Sequence, residues 1–150
     1  MKKKNLMKSL TALALSVLMV LSLAACGAKP SDGGKDEDKD GYTVAIIKQM
    51  DHASLDEIAD AIAARLDAIA QEQNVSIRYT ITSGQGDQSV LKQLADQAVA
   101  DKVDAIIPIA TTAAQVSAVA AEDSLTPVVY AAISDPDTAK LTGIDYVTGT

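Results

Sequence analysis

The sequence predicts an α/β domain in which a mostly parallel sheet carries helices on both faces. Three observations lead there. From Tyr42 to Thr150, short β-prone runs alternate with segments of helical period, the spacing that right-handed strand–helix–strand crossovers need. The chain has no Trp or Phe and only four Tyr, so its core has to be built from Ile, Val, Leu and Ala. Its first apolar run, Tyr42-Thr43-Val44-Ala45-Ile46-Ile47, is continuous rather than alternating, as expected of a strand buried on both sides.

The elements follow in order. After the first strand, Ser54-Leu55-Asp56-Glu57 has the form of a capping box, with Ser54 and Glu57 placed to satisfy the first free amides of a helix. Leu55, Ile58, Ile62, Leu66 and Ile69 then recur at steps of three and four, one apolar stripe on a helix that runs to about Glu72. Val75 to Ile81 alternates apolar and polar residues, which predicts a strand exposed on one side, at a sheet edge. The loop from Thr82 to Gln88 leads to a helix carrying Leu91, Leu94, Ala95, Ala98 and Val99. Val103 to Ile109 is the third strand, expected to end near Pro108, which has no ladder N–H to give. Thr111-Thr112 opens a third helix with Ala114, Val116, Ala118, Val119 and Ala121 on its apolar side. Pro127 to Ile133 is the fourth strand, closed by Ser134-Asp135-Pro136, and Leu141 to Val147 a weaker last one.

Ligands of such sheets bind beyond the carboxyl ends of the strands, near the switch in strand order. Four loops gather there: Lys48 to Ser54, Ser83 to Ser89, Ala110 to Ala113 and Ser134 to Asp137. Gly84 and Gly86 lack the third glycine and acidic partner of a dinucleotide fingerprint. They serve a tight turn or bring backbone close to a small ligand. Gln85, Asp87, Gln88 and Ser89 offer hydrogen bonds, with Asp87 or Ser89 also placed to cap the next helix. At Thr111-Thr112 two hydroxyls and free helix amides converge, which suits a ligand carboxylate or, equally, a simple cap. Asp135 is placed either to pair with a ligand ammonium or to turn the chain before Pro136.

The amino terminus has a different character. Lys2, Lys3, Lys4 and Lys8 form a basic head, Leu10 to Ala25 carries no charge, and Leu23-Ala24-Ala25-Cys26 ends the run on the only cysteine. This is the pattern of an export signal, too short for the about twenty apolar residues of a membrane span. The cysteine after two alanines resembles the lipobox of bacterial lipoproteins, which implies cleavage before Cys26 and acylation of its thiol. Residues 26–41, rich in Asp, Lys and Gly, are expected to form a solvated tether. Cleavage removes four lysines and no acid, leaving nine basic against twenty acidic residues, a net charge of −11. Such a surface repels nucleic acid and anionic headgroups, so the lipid has to supply membrane attachment.

The enzyme classes find little support. His52 is the only histidine and Cys26 is taken by the anchor, so no metal site is expected. No Gly-x-Ser-x-Gly or His-Glu-x-x-His segment occurs, and no cofactor is implied.

Several segments together resemble the lipoprotein substrate-binding proteins of ABC importers, in the group that binds aromatic amino acids such as tryptophan. They are His52 with Leu55-Asp56, Gly86-Asp87-Gln88-Ser89, Asp101-Lys102-Val103-Asp104, Ala110-Thr111 with Ala113-Ala114-Gln115, Ser134-Asp135-Pro136, and Val147-Thr148-Gly149-Thr150. The resemblance implies a flavodoxin-like lobe of the type I periplasmic-binding-protein kind over residues 42–150, one of two lobes that close on a ligand. It implies a ligand carboxylate held around Thr111 and Thr112, with Gln49, Gln85, Gly86, Asp87, Ser134 and Asp135 completing the site. It implies an ABC permease as partner, a small solute (an amino acid) as ligand, and residence on the outer face of the cell membrane. Val147 to Thr150 resembles the passage into the second lobe, so this chain alone is expected to bind ligand weakly or not at all. Two other classes share these features: a lipoprotein that senses ligand without transport, and an enzyme on a flavodoxin-like fold.

Overall fold

The computed structural model describes residues 41–150; the predicted signal, Cys26 and the tether as far as residue 40 lie outside the described residues. Gly41, expected to end the tether, instead begins the first strand. β1 (Gly41–Lys48) leads to α1 (Ala53–Gln73), β2 (Ser76–Ser83), α2 (Gln88–Ala100), β3 (Ala105–Ile109) and α3 (Thr111–Ala120). β4 (Val128–Tyr130) and β5 (Val147–Gly149) complete one sheet of order β2-β1-β3-β4-β5. Every pairing in it is parallel, and β2 lies on an edge as its alternation predicts.

The continuous apolar run of β1 is explained by the two layers around it. Val44 and Ile46 pack with Ile109, Ile107 and the α1 residues Leu55, Ile58, Ala59, Ile62 and Leu66. Ala45 and Ile47 face the other way, into a core with Leu91, Ala95 and Ala98 of α2 and Ala113 of α3. Both faces of the central strands are therefore covered, α1 on one and α2 with α3 on the other. Alanines at 113, 114 and 118 are buried on α3, and their small side chains let that helix approach the sheet closely. Val119, expected on the apolar side of α3, is 70% exposed, and Ser117 takes a buried place instead. The Ser117 hydroxyl has no hydrogen-bond partner at that buried place.

β3 ends at Ile109, one residue beyond Pro108 and so near it, as expected. The N–H of Ile106 donates to Pro127 and that of Ala110 to Ala131, so the alternate residue between them is the one facing β4 without a donor. The β3–β4 ladder is correspondingly reduced to the Ile106–Val128 pair and an isolated bridge from Ile109 to Ala131. This also trims the fourth strand to three residues, against the seven expected. The weaker last strand lies further along than predicted: Leu141 to Tyr146 are turns and bends, and pairing with β4 begins only at Val147. Leu141 is buried all the same, packed with Tyr130, Ile133 and Ala139, so its apolar character reflects core packing rather than strand. At the opposite end of the sheet Asp104 ties β3 to β1, accepting from the Thr43 N–H at 2.7 Å and its hydroxyl at 3.0 Å.

Candidate ligand-binding site

The chain leaves β1 toward β2 on one side and reaches β3 on the other, so the switch in strand order lies between β1 and β3. The loops that follow these strands flank it: Gln49 to His52 after β1 and Ala110 to Thr112 after β3. Gln49 joins three of the four predicted loops. Its backbone N–H donates to Ile109 at 3.1 Å, its carbonyl accepts from Gly86 N–H at 2.9 Å, and its side-chain Oε1 accepts from Thr112 N–H at 3.1 Å.

That last bond decides how α3 begins. The N-cap is Ala110, which has no side-chain cap, and neither Thr111 nor Thr112 supplies one. The amide of Thr112 is satisfied from across the switch point by a neutral carboxamide. Ala110 itself is held at φ 79°, ψ 162°, a region that glycine normally occupies. Its N–H is bonded to Ala131 and its carbonyl receives Ala114, so the surrounding backbone fixes the strained conformation.

The glycine loop after β2 is built for close approach and for a turn. A β-carbon on Gly84 would lie 2.3 Å from Leu91 Cδ2, so only glycine lets the loop pack on that buried side chain. Gln85 and Gly86 both have positive φ, 55° and 74°. Asp87 caps α2, its Oδ1 accepting from Ser89 N–H at 2.7 Å and Val90 N–H at 3.2 Å. The same applies to Asp135, which receives both the N–H and the hydroxyl of Thr138 at 2.9 and 2.7 Å. Those bonds hold its carboxyl below the usual carboxylate range. Both aspartates therefore have local structural work, and Ser134 beside the second is exposed.

The α1 start differs from the sequence expectation. Its N-cap is His52, whose Nδ1 accepts from Ser54 N–H at 3.3 Å, and the helix begins at Ala53, so Ser54 and Glu57 lie within the helix and do not form the capping box. A charged cluster that no sequence motif marks adjoins it. Lys48 Nζ bonds Asp56 and, at 3.1 Å, Asp51, while Gln85 Nε2 reaches Asp51 Oδ2 at 2.8 Å. Hydrogen bonds to Asp56 and then Asp51 raise the Lys48 ammonium above its ordinary value. Ser83, Lys48 and Gln85 together lower Asp51. Asp51 and Asp56 stand three and eight residues beyond Lys48, a spacing that no common motif records; only the turn between strand and helix brings them together.

Of the predicted residues, Gln49, Gly86 and Thr112 are directly joined, Gln85 is tied to Asp51 of the Gln49 loop, and Thr111 adjoins them. A groove of about 720 Å³ lies elsewhere, between Gln88, Lys92 and Asp96 of α2 and Gln115, Val116 and Val119 of α3. Among the described residues no group of three His, Cys, Asp or Glu side chains is arranged to hold a metal ion, and no helix is long and apolar enough to cross a membrane.

Comparison with known proteins gives a consistent answer. Residues 43–147 match the profile of a family described as ABC transporter substrate binding protein. Among solved structures, the chain is similar to an ABC domain from Streptococcus pneumonia in complex with L-Trp, at 32% identity and TM-score 0.63. That match covers 73% of this chain and 38% of the other, so the chain spans well under half the length of its relative. CD0873 of Clostridium difficile, a substrate binding protein with adhesive properties in its ligand-free, open form, is 25% identical with TM-score 0.61, covering 69% and 34%. A conserved domain protein of Vibrio cholerae is 25% identical with TM-score 0.63, covering 72% and 38%. No curated protein sequence matches. With a profile match across nearly the whole described domain and the same fold in each of these neighbours, the chain belongs to the ABC transporter substrate binding protein family.

Proposed function

We propose that this chain is the ligand-receiving lobe of an extracytoplasmic lipoprotein that takes up an amino acid and presents it to an ABC permease. Cys26 is the lipid attachment point, residues 1–25 its signal, and the acidic segment before β1 its tether. The observation that carries the reading is the bond from Thr112 N–H to the Gln49 carboxamide. A neutral acceptor there satisfies the first turn of α3 while no anion is present and is readily exchanged for a ligand carboxylate, which the helix dipole favours. Gln49 then turns its Nε2 to the same carboxylate. Thr111 and Thr112 stand beside it, and Gln85, Gly86 and Asp87 form one wall with Ser134 and Asp135 at the far rim. The L-Trp complex of a 32% identical relative supports an α-amino acid as the ligand class.

The test is a charge substitution. Gln49→Glu places a fixed carboxylate at the helix terminus, which favours the helix by about 0.3–1 kcal/mol and repels an incoming one. Nuclear magnetic resonance titration of the full chain with L-tryptophan is expected to move the Thr112 amide at millimolar ligand, and Gln49→Glu to abolish the movement at pH 7. Unchanged binding in Gln49→Glu refutes the carboxylate assignment. Mass spectrometry of membranes is expected to find an acylated amino-terminal Cys26; an uncleaved, unmodified chain refutes the anchor.

A further inference from the structure

The geometry points to Met50 as the residue by which this lobe selects its ligand's side chain, an inference that rests on the carboxylate site proposed above. Met50 is 38% exposed. The other large exposed apolar side chains among the described residues are scattered over strands, helix α3 and the opposite end of the sheet. Met50 alone among them stands in a loop that flanks the switch point.

Its neighbours on both sides are engaged. Gln49 reaches across to α3, and Asp51 turns back to Lys48 and Gln85. Between them Met50 lies over Gly86: a β-carbon there would sit 3.4 Å from Met50 Cε, ordinary contact distance. The thioether is thus seated on bare backbone, with polar groups around it and its other side open. An exposed apolar residue framed in this way loses water when an apolar group arrives, while the adjoining carboxamide and amides fix the ligand's polar end. Methionine is also the aliphatic side chain suited to a ring, through its polarisable sulfur and three rotatable bonds. The described lobe has no Trp or Phe, its tyrosines 79, 130 and 146 are occupied by packing or hydrogen bonds, and the exposed Tyr42 stands at the start of β1, the end away from the switch-point loops; Met50 is therefore the contact it offers to an aromatic ligand.

The experiment uses the full chain carrying ¹³C-labelled methionine methyls. Its other three methionines are Met1, Met7 and Met19, and the Met50 signal is the one missing from Met50→Leu. L-Tryptophan is expected to move the Thr112 amide and to shift the Met50 methyl upfield, the direction of ring-current shielding over an aromatic face. L-Leucine is expected to move the amide without the upfield shift. Met50→Ala is expected to weaken tryptophan about tenfold, or about 1.4 kcal/mol, and Met50→Leu to stay within about twofold because apolar volume is kept. If the Thr112 amide moves while the Met50 methyl stays and Met50→Ala binds as the parent does, the inference is overturned and the carboxylate site stands. If neither signal moves, the site itself fails and the inference with it.

Discussion

Replacing Ala110, the N-cap of α3, by glycine is expected to stabilise this domain. Ala110 is held at φ 79°, ψ 162° by bonds to Ala131 and from Ala114. A non-glycine residue in such a region costs about 1–3 kcal/mol, which glycine relieves. Two terms oppose the gain. Glycine's greater freedom in the unfolded chain costs about 0.4–1 kcal/mol. Ala110 is half-buried, so its methyl forfeits about half of the roughly 0.8 kcal/mol of a buried carbon. The balance is a stabilisation of about 1 kcal/mol, or about 4 °C in Tm for a domain of this size. Urea unfolding followed by circular dichroism reads it as a higher midpoint at unchanged slope. Ala110→Val, with its branched β-carbon, is expected to lose stability under the same conditions. A lower midpoint for Ala110→Gly would refute the claim that the β3–α3 junction stores strain.

Three further outcomes follow from the same structure. Gly84→Ala drives a β-carbon into the buried Leu91 and is expected to cost about 1–3 kcal/mol in urea, with Leu91→Ala in the same chain restoring part of the coupling. Gln49→Ala leaves the first turn of α3 without its acceptor and is expected to cost about 0.5–2 kcal/mol, the range of a lost helix cap. Asp135 has a carboxyl lowered by Thr138, so its contribution is complete above the ordinary aspartate value near pH 4 and is lost as pH falls through the lower folded value. The stability gap between the parent and Asp135→Ala is therefore expected to be constant from pH 7 to about pH 5 and to close below about pH 4; a gap that widens on acidification contradicts the assignment.

Much of the architecture was legible because it rests on period and composition. The continuous run of β1, the alternation of β2 and the apolar stripes of α1 and α2 are one-dimensional records of which side of a strand or helix meets the core. The last third of the chain was less legible. Pro108 removes a donor facing β4, so the neighbouring strand shortens, and Leu141 owes its apolar character to packing within turns. The capping of α1 by His52 rather than Ser54 was also beyond the pattern, since both residue types stand near the boundary and only backbone conformation chooses between them.

For the site, the sequence by itself determined which loops gather, because strand–helix alternation fixes the carboxyl ends of all parallel strands on one side. It also supplied the two glycines and the paired threonines whose chemistry suits that place. Only the tertiary structure decided what each group does there. The Gln49 carboxamide crosses 63 positions of chain to cap α3, Asp87 and Asp135 are drawn into local turns, and Lys48 meets two carboxylates. The physical reason is that a hydrogen bond is satisfied by whichever partner the fold brings within about 3 Å, and separation along the chain carries no information about that distance.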